Sequence, residues 1–432
     1  MIKIALLGCG TVASGVVRLL RANGNDIAQR LGDTIEIKRV LELNFDRARA
    51  CGVTDAQLCS DYGEILRDDE IKIVVELIGG TTVAYEFIKK AMENGKSVVT
   101  ANKDLIALRF SELSALAQAN SVDFCFEASV GGGIPVIAPL RQSLAANRFE
   151  EIVGILNGTT NYILTQMTDN GMSYADALAK AQELGYAEHD PTADVEGLDA
   201  ARKIAILATL AFNTPVRLQD VHCEGITMIE PADIAIARSL DYVIKLVAVA
   251  KERNGRIEAY VRPAFVPKKH PIAGVNDVFN AVFLRADAVG GVMLYGRGAG
   301  SLPTASSVLG DVMDVCRNLR HSVKNRMPSR CYAEKPIADI FEIANKFYVR
   351  MLVEDRPNVL AGIAKSFGEH SVSLASLQQR PLEDGCAELV LITHVAAESS
   401  LRASLDELMQ KEYVHRISTM VCVNGTDIEG EF

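Results

Sequence analysis

The stretch Met1-Ile-Lys-Ile-Ala-Leu-Leu-Gly-Cys-Gly-Thr-Val-Ala-Ser-Gly-Val-Val-Arg-Leu-Leu20 decides the fold. Ile2 to Leu7 is a continuous apolar strand pattern that runs straight into Gly8-Cys9-Gly10-Thr11-Val12-Ala13, followed by a helical pattern from Val16 to Leu20. Strand, glycine turn and helix in that order are what a dinucleotide-binding unit requires. Gly8 would make the tight turn and Gly10 would let a pyrophosphate approach the backbone. Ala13 holds the third position, where alanine is tolerated. The free N–H groups at the helix start would bind the phosphates.

Working outward, Ile35 to Leu43 reads as a second strand, with Glu42, Asn44, Arg47 and Arg49 around its end. An acid there grips a ribose hydroxyl and an arginine grips a 2′-phosphate, so these residues leave NAD and NADP both open. Ile71 to Ile78 is apolar throughout, as a parallel strand buried on both faces should be. A helix over Val83 to Asn94 then leads to the strand before Thr100-Ala-Asn-Lys103, which puts Lys103 at a strand's carboxyl end, where ligands bind in such sheets. Val122 to Phe126 is a further strand, and Glu127-Ala-Ser-Val-Gly-Gly-Gly-Ile-Pro135 follows it. Three consecutive glycines expose backbone that can aim carbonyls at a cation or serve as a hinge.

Beyond this the rhythm changes. A helix over Pro139 to Ala146, a strand over Ile152 to Leu156, an amphipathic segment from Asp233 to Ala250 and alternating segments such as Ile257 to Val261 suggest an α+β substrate and dimerisation domain. Inside it lies E-L-G-Y-A-E-H-D-P-T-A-D-V-E-G-L-D-A-A-R-K, residues 183–203, an acidic loop feeding the apolar helical run Ile204 to Phe212. Pro191 holds Asp190 extended, and Thr192 or Asp194 is placed to cap the helix. Asp199 and Lys203, four apart, share one helix face. An ammonium ringed by Asp199, Asp194 and Glu188 is either an exposed ion pair or a proton donor beside carboxylates that hold a substrate ammonium.

Gly296 to Gly300 is another glycine turn, ahead of a helical pattern over Thr304 to Arg317 that can return to the nucleotide domain. From residue 346 the pattern is β, α, β, β, α, β, a ferredoxin-like module. The expected domains are therefore 1–135 with a return helix at 304–318, 136–303, a connection at 319–345, and 346–432. The fold class is α/β, with a Rossmann-type parallel sheet first.

The 432 residues carry a formal charge of −10 and no basic run, which excludes nucleic acid as an expected partner. Nine scattered cysteines without a C-x-x-C pair argue for a reducing cytoplasm. Seven dispersed histidines offer no zinc spacing. The apolar segment before Cys9 is too short for a signal peptide, and no apolar run is long enough to span a bilayer.

Taken together, Gly8-x-Gly-Thr-Val, Thr100-Ala-Asn-Lys103, Glu127 to Pro135, Asn157-Gly-Thr, Gly185-Tyr-Ala-Glu through Arg-Lys203 and Gly298-Ala-Gly300 resemble homoserine dehydrogenase over residues 1 to about 320. The tail, with Glu354-Asp-Arg-Pro-Asn-Val-Leu, resembles the regulatory ACT domain of longer members. The resemblance implies reversible reduction of L-aspartate 4-semialdehyde to L-homoserine by NAD(P)H, on the route to threonine, methionine and isoleucine.

It implies Lys203 as general acid and base and Lys103 as a second catalytic lysine, with Glu188, Asp199, Asp194, Thr159 and Tyr186 on the substrate side. Gly8, Gly10, Thr11, Val12, Thr100, Lys103, Gly185 and Gly300 fall at cofactor positions. Glu127, Val130, Gly132 and Ile134 fall at positions cradling a sodium ion, mostly through carbonyls. It further implies a homodimer or homotetramer and threonine as effector at the ACT domain. Leu43-Asn44 departs from the Arg-Asp of many members, and Asn358 replaces a common glycine in the ACT turn. The rivals are an aspartate-semialdehyde dehydrogenase using Cys125 as nucleophile and a non-catalytic amino-acid sensor.

Overall fold

The computed structural model describes residues 1–326 and 331–423 and divides the chain into two compact units. The first comprises Met1–Ile152, Arg202–Asp220 and Phe279–Lys335. Its sheet is built from β1 (Ile2–Leu7), β2 (Ile35–Leu41), β3 (Leu58–Cys59), β4 (Ile71–Glu76), β5 (Ser97–Thr100) and β6 (Phe124–Cys125) in the order β3-β2-β1-β4-β5-β6. Every pairing is parallel. This is the doubly wound dinucleotide order, in which ligands bind beyond the carboxyl ends of the strands where the order reverses. Ile4, Leu6, Ile73, Val75 and Val99 are sealed completely, which the uninterrupted apolar strands required.

The helix Thr11–Leu31 packs against a late helix, Ser301–Arg320, through one core that includes Ala13, Val16, Val308 and Val312. Their backbones meet at Gly15: a Cβ there would lie 2.4 Å from the Ser301 carbonyl oxygen. Close helix approach, which the motif leads one to seek at its third position, thus rests on a glycine two residues further on. An antiparallel hairpin, Phe279–Ala286 with Gly290–Arg297, completes this unit.

The second unit comprises Val153–Ala201, Val221–Val278 and Pro336–Phe432. Its centre is the antiparallel hairpin Tyr242–Arg253 and Arg256–Pro267. The segment Asp233 to Ala250, read as one amphipathic stretch, is in fact the helix Pro231–Ser239 followed by a strand, with Asp241 at φ 60° between them. Apolar residues dense enough to satisfy both periods hide such a break. The helix expected over Pro139 to Ala146 is only Ile137–Arg141, because Gln142 leaves helical geometry at φ −123°, ψ −75°.

The tail forms Ala344–Glu354, Val359–Glu369, Leu374–Pro381, Cys386–Thr393, Glu398–Leu408 and Val414–Val423, the βαββαβ order of the ACT domain. Its strands pair antiparallel, 414–423 with 344–354, then 386–393, then 374–381. Asn358 takes φ 73° at the first turn, a left-handed conformation that asparagine tolerates. The last strand continues into the central hairpin, Ala264 and Phe265 pairing with Cys422 and Val423. A buried ionic cluster joins the same elements: Arg350 Nε donates to Asp233 Oδ1 at 2.8 Å, its Nη2 to Glu230 Oε2 at 2.7 Å, and the Tyr348 hydroxyl to Asp233 Oδ1 at 2.9 Å.

Among the described residues no helix is long and apolar enough to cross a membrane.

Candidate active site

In the nucleotide unit the glycine turn has the conformation its sequence demands. Gly8 sits at φ 87°, its N–H donating to the Leu41 carbonyl at 2.8 Å, and an added Cβ would press on the Leu77 carbonyl oxygen at 3.2 Å. Gly10 precedes the first helix turn, which begins with Thr11 and Val12. The Thr11 carbonyl accepts from Ser301 Oγ at 2.7 Å, directly after Gly300, which takes φ 118° ahead of the return helix. A cavity of about 370 Å³ opens here, lined by Gly8, Cys9, Gly10, Glu42, Arg47 and neighbours from the ends of β2 and β4. Backbone stripped of side chains, a helix N-terminus and a cavity at the switch point together fit a dinucleotide.

Glu76, which the sequence reading passed over, organises the next two loops. Fully buried at the end of β4, it accepts from the Ile78 and Gly79 amides at 2.8 and 2.9 Å and from Thr100 Oγ1 at 2.6 Å. Thr100 Oγ1 in turn accepts from the Asn102 amide at 3.0 Å, and Asn102 caps the helix Lys103–Ala119 through Leu105 N at 3.1 Å. Lys103 is therefore the first residue of a rigidly started helix. Its neighbour Asp104 pairs with Arg202 at 2.7 Å. That ion pair joins the chain beside Lys103 to the chain beside Lys203.

Glu127 aims its carboxylate at the amides of Val136, Ile137 and Ala138, at 2.6, 2.8 and 2.6 Å. Gly131 and Gly132 take φ 74° and 56°, bending the loop from Val130 to Ile134. The Gly132 carbonyl accepts from Ser307 Oγ at 2.7 Å, and a Cβ on Gly132 would lie 2.3 Å from the Gly298 carbonyl oxygen. No cluster of three or more His, Cys, Asp or Glu suited to a metal occurs among the described residues. The Glu127 carboxylate is thus engaged by three backbone amides.

In the second unit the acidic loop is not a simple cap. Thr192–Val195 is a one-turn helix of its own, with Asp190 accepting from the Thr192 amide at 3.1 Å, and the long helix begins only at Leu198. Asp194 and Asp199 are gathered by a residue that the sequence reading quoted within a motif but gave no role: Asn157 Nδ2 donates to Asp194 Oδ1 at 2.7 Å and to Asp199 Oδ2 at 2.9 Å. The Asn157 Oδ1 accepts from the Thr160 amide at 2.9 Å, capping the helix Gly158–Asn170 and fixing which way the amide faces.

Thr159 Oγ1 donates to the Tyr186 carbonyl at 2.7 Å, and the Tyr186 ring meets Tyr162 at 5.0 Å. Gly185, at φ 73°, ends the preceding helical segment. Glu188 is exposed, and its backbone carbonyl accepts from Gln182 Nε2 at 3.1 Å. Asp199 and Lys203 are both buried, one turn apart on the helix Leu198–Phe212.

Cys125 does not suit a thioester mechanism. Desolvation of this half-buried thiol, with the Asp311 carboxylate nearby, drives it well above the ordinary range, which disfavours a thiolate nucleophile.

A doubly wound parallel sheet with a glycine turn and a cavity at its switch point marks a dinucleotide-binding fold, and its relatives make it an NAD(P)-dependent oxidoreductase acting on a CH–OH group. Family models match "Homoserine dehydrogenase, NAD binding domain" at residues 8–127, "Homoserine dehydrogenase" at 135–313 and "ACT domain" at 347–412. The chain is 45% identical to a homoserine dehydrogenase of Corynebacterium glutamicum over 97% of this chain and 95% of that one, and 43% identical to one of Synechocystis over 98% and 99%.

Among solved structures, a homoserine dehydrogenase from Thiobacillus denitrificans superposes with TM-score 0.92 at 39% identity, covering 98% of each chain. A shorter archaeal homoserine dehydrogenase in complex with NADPH matches at TM-score 0.62 and 27% identity, over 73% of this chain and 97% of its own. The chain belongs to the homoserine dehydrogenase family.

Proposed function

We propose that the enzyme reduces L-aspartate 4-semialdehyde to L-homoserine, with Lys203 as the proton donor and Glu188, Asp194 and Asp199 as the anionic cradle for the substrate ammonium. The observation that carries this is the Asn157 amide, which holds Asp194 and Asp199 together, Asp199 lying one helix turn before the buried Lys203. The Asn157 amide is a neutral donor, so it orients the two carboxylates without cancelling their charge.

When bound, the reduced nicotinamide supplies hydride to the aldehyde carbon. The carbonyl electron pair moves to oxygen, and Lys203 Nζ stabilises the growing charge and delivers a proton to the alkoxide. Lys203 then regains its proton from solvent. Lys103 acts beside cofactor and substrate, and the Asp104–Arg202 ion pair ties the start of its helix to the helix that carries Lys203. Gly8, Gly10, Thr11, Val12, Thr100, Gly185 and Gly300 contact the dinucleotide. Tyr186 and Thr159 border the substrate.

A sodium ion held by Glu127, Val130, Gly132 and Ile134, mostly through carbonyls, suits the loop bent at Gly131 and Gly132. Domain limits near residues 135, 303 and 345, assembly as a homodimer or homotetramer, a cytoplasmic location, and threonine as effector at the ACT domain complete the reading. The ACT match supports the last.

The decisive variant is Lys203→Ala. Turnover should fall roughly 10²–10⁴-fold while dinucleotide binding stays within twofold or so. Retained turnover would remove Lys203 from the mechanism.

A further inference from the structure

The end of β2 is where a dinucleotide fold distinguishes a ribose hydroxyl from a 2′-phosphate, and here it carries Glu42 in an unusually committed state. Its Oε2 accepts from the Cys9 amide at 2.8 Å, inside the glycine turn. Its Oε1 accepts from the Leu43 amide at 2.8 Å and the Asn44 amide at 3.1 Å. Two successive amides pointing at one spot form an anion nest, and the protein's own carboxylate already fills it. Burial opposes charge on Glu42, but the amides of Asn44, Cys9 and Leu43 together with the Arg47 guanidinium hold its carboxyl below the usual range. Glu42 therefore stands as a fixed negative charge on the wall of the nucleotide cavity.

The nearby cations do not reverse this. Arg47 Nη2 lies 3.3 Å from where a Gly10 Cβ would stand, against the turn that faces the pyrophosphate. Asn44 Oδ1 is taken by the Arg47 amide at 3.2 Å, capping the helix Phe45–Ala50, which fixes the course of the chain here. Arg49 is drawn away to Asp46 and Asp55, at 2.8 Å each. Leu43, which follows Glu42 directly, is 89% exposed and offers no charge. A 2′-phosphate entering here would meet a carboxylate at contact range and find the neighbouring amides occupied. A 2′-hydroxyl can donate to that same carboxylate.

We propose that Glu42 is the specificity-determining residue of the cofactor site and that this chain binds NADH in preference to NADPH, its carboxylate occupying the place a 2′-phosphate needs. The inference rests on the NAD(P) reading of the cavity but not on the assigned roles of Lys203 or Lys103.

The test is equilibrium binding to the full chain without substrate. The chain has no tryptophan, so the fluorescence of each reduced dinucleotide can be followed directly. For wild type, NADH should bind at least about tenfold tighter than NADPH, since a like charge at contact outweighs the free energy of one decade in affinity. Glu42→Gln removes the charge and keeps one acceptor oxygen, enough for the Leu43 and Asn44 amides, and should shift the NADPH-to-NADH affinity ratio by roughly tenfold or more toward NADPH. Glu42→Asp keeps the charge and should retain the wild-type preference.

Equal or tighter NADPH binding by wild type, or a ratio unchanged in Glu42→Gln at unaltered melting temperature, overturns the proposal. Binding of neither dinucleotide overturns the cofactor reading with it. A Glu42→Gln protein that binds both dinucleotides more weakly in equal proportion assigns Glu42 a merely structural role and also overturns it.

Discussion

Asn157 shows how much one neutral side chain can settle. It caps a helix with its oxygen and gathers Asp194 and Asp199 with its nitrogen. Asn157→Ser separates the two tasks, because serine caps nearly as well as asparagine but is too short to reach both carboxylates. We expect KM for the semialdehyde to rise about tenfold or more, with stability changed by only ~1 kcal/mol. Steady-state kinetics and thermal unfolding check the two halves of that statement. An unchanged KM would leave the cradle without Asn157.

Lys245 gives a second residue-scale expectation. Its ammonium is buried on carbonyl oxygens of Val275 (2.6 Å), Asn161 (3.1 Å) and Asn276 (3.0 Å), and burial pushes its pKa from 10.5 down to about 8. Between those values the folded chain binds fewer protons than the unfolded one, so this group's contribution to stability improves as pH rises from about 8 to 10.5. Below pH 8 the full cost of the buried charge remains. Melting curves of wild type and Lys245→Met over that window should therefore move relative to each other, with wild type gaining on the variant as pH rises. A constant difference would contradict the depressed pKa.

At the scale of elements, the sequence made the parallel sheet, the glycine turn and the ACT order legible, because each depends on local period and on glycine where φ is positive. The acidic loop and Lys203 stood out as charge against an apolar run, and Lys103 by its place just after a strand's carboxyl end. What stayed hidden lies between distant positions. Glu76 reads as one more strand-end carboxylate until Thr100 and two loop amides are seen to converge on it. Nothing local announces that Arg202 meets Asp104. Gly15 carries no local signal of its role, because its reason, the Ser301 carbonyl, comes nearly three hundred residues later. Gly15→Ala should accordingly destabilise the nucleotide unit by about 1–3 kcal/mol. A midpoint shift in denaturant with unchanged slope would report it, whereas Gly24→Ala, where an added Cβ meets nothing within 4 Å, should not destabilise.

At the scale of the whole molecule, the ACT domain is bound into the second unit by a shared sheet and by the Arg350–Asp233 cluster, both members of which are nearly inaccessible to water. Asp233→Ala leaves a buried guanidinium short of its most deeply buried partner and should cost about 3–5 kcal/mol. The paired change Asp233→Leu with Arg350→Met should recover much of that, because it is the stranded charge rather than the missing pair that is expensive. If the single and double variants melt alike, the cluster is not the tie.

The return helix Ser301–Arg320 also governs the order in which the molecule can be made. The six strands of the nucleotide sheet are complete by Cys125, yet the face of Thr11–Leu31 that Val308, Val312 and Val315 cover has no partner until residue 320 has been translated. At ordinary elongation rates of ~5–20 residues per second, nearly two hundred residues amount to roughly ten to forty seconds during which an apolar face waits at the ribosome. The nascent chain is therefore a client for holding chaperones through the middle of its synthesis, and chains halted before Ser301 should be recovered bound to them.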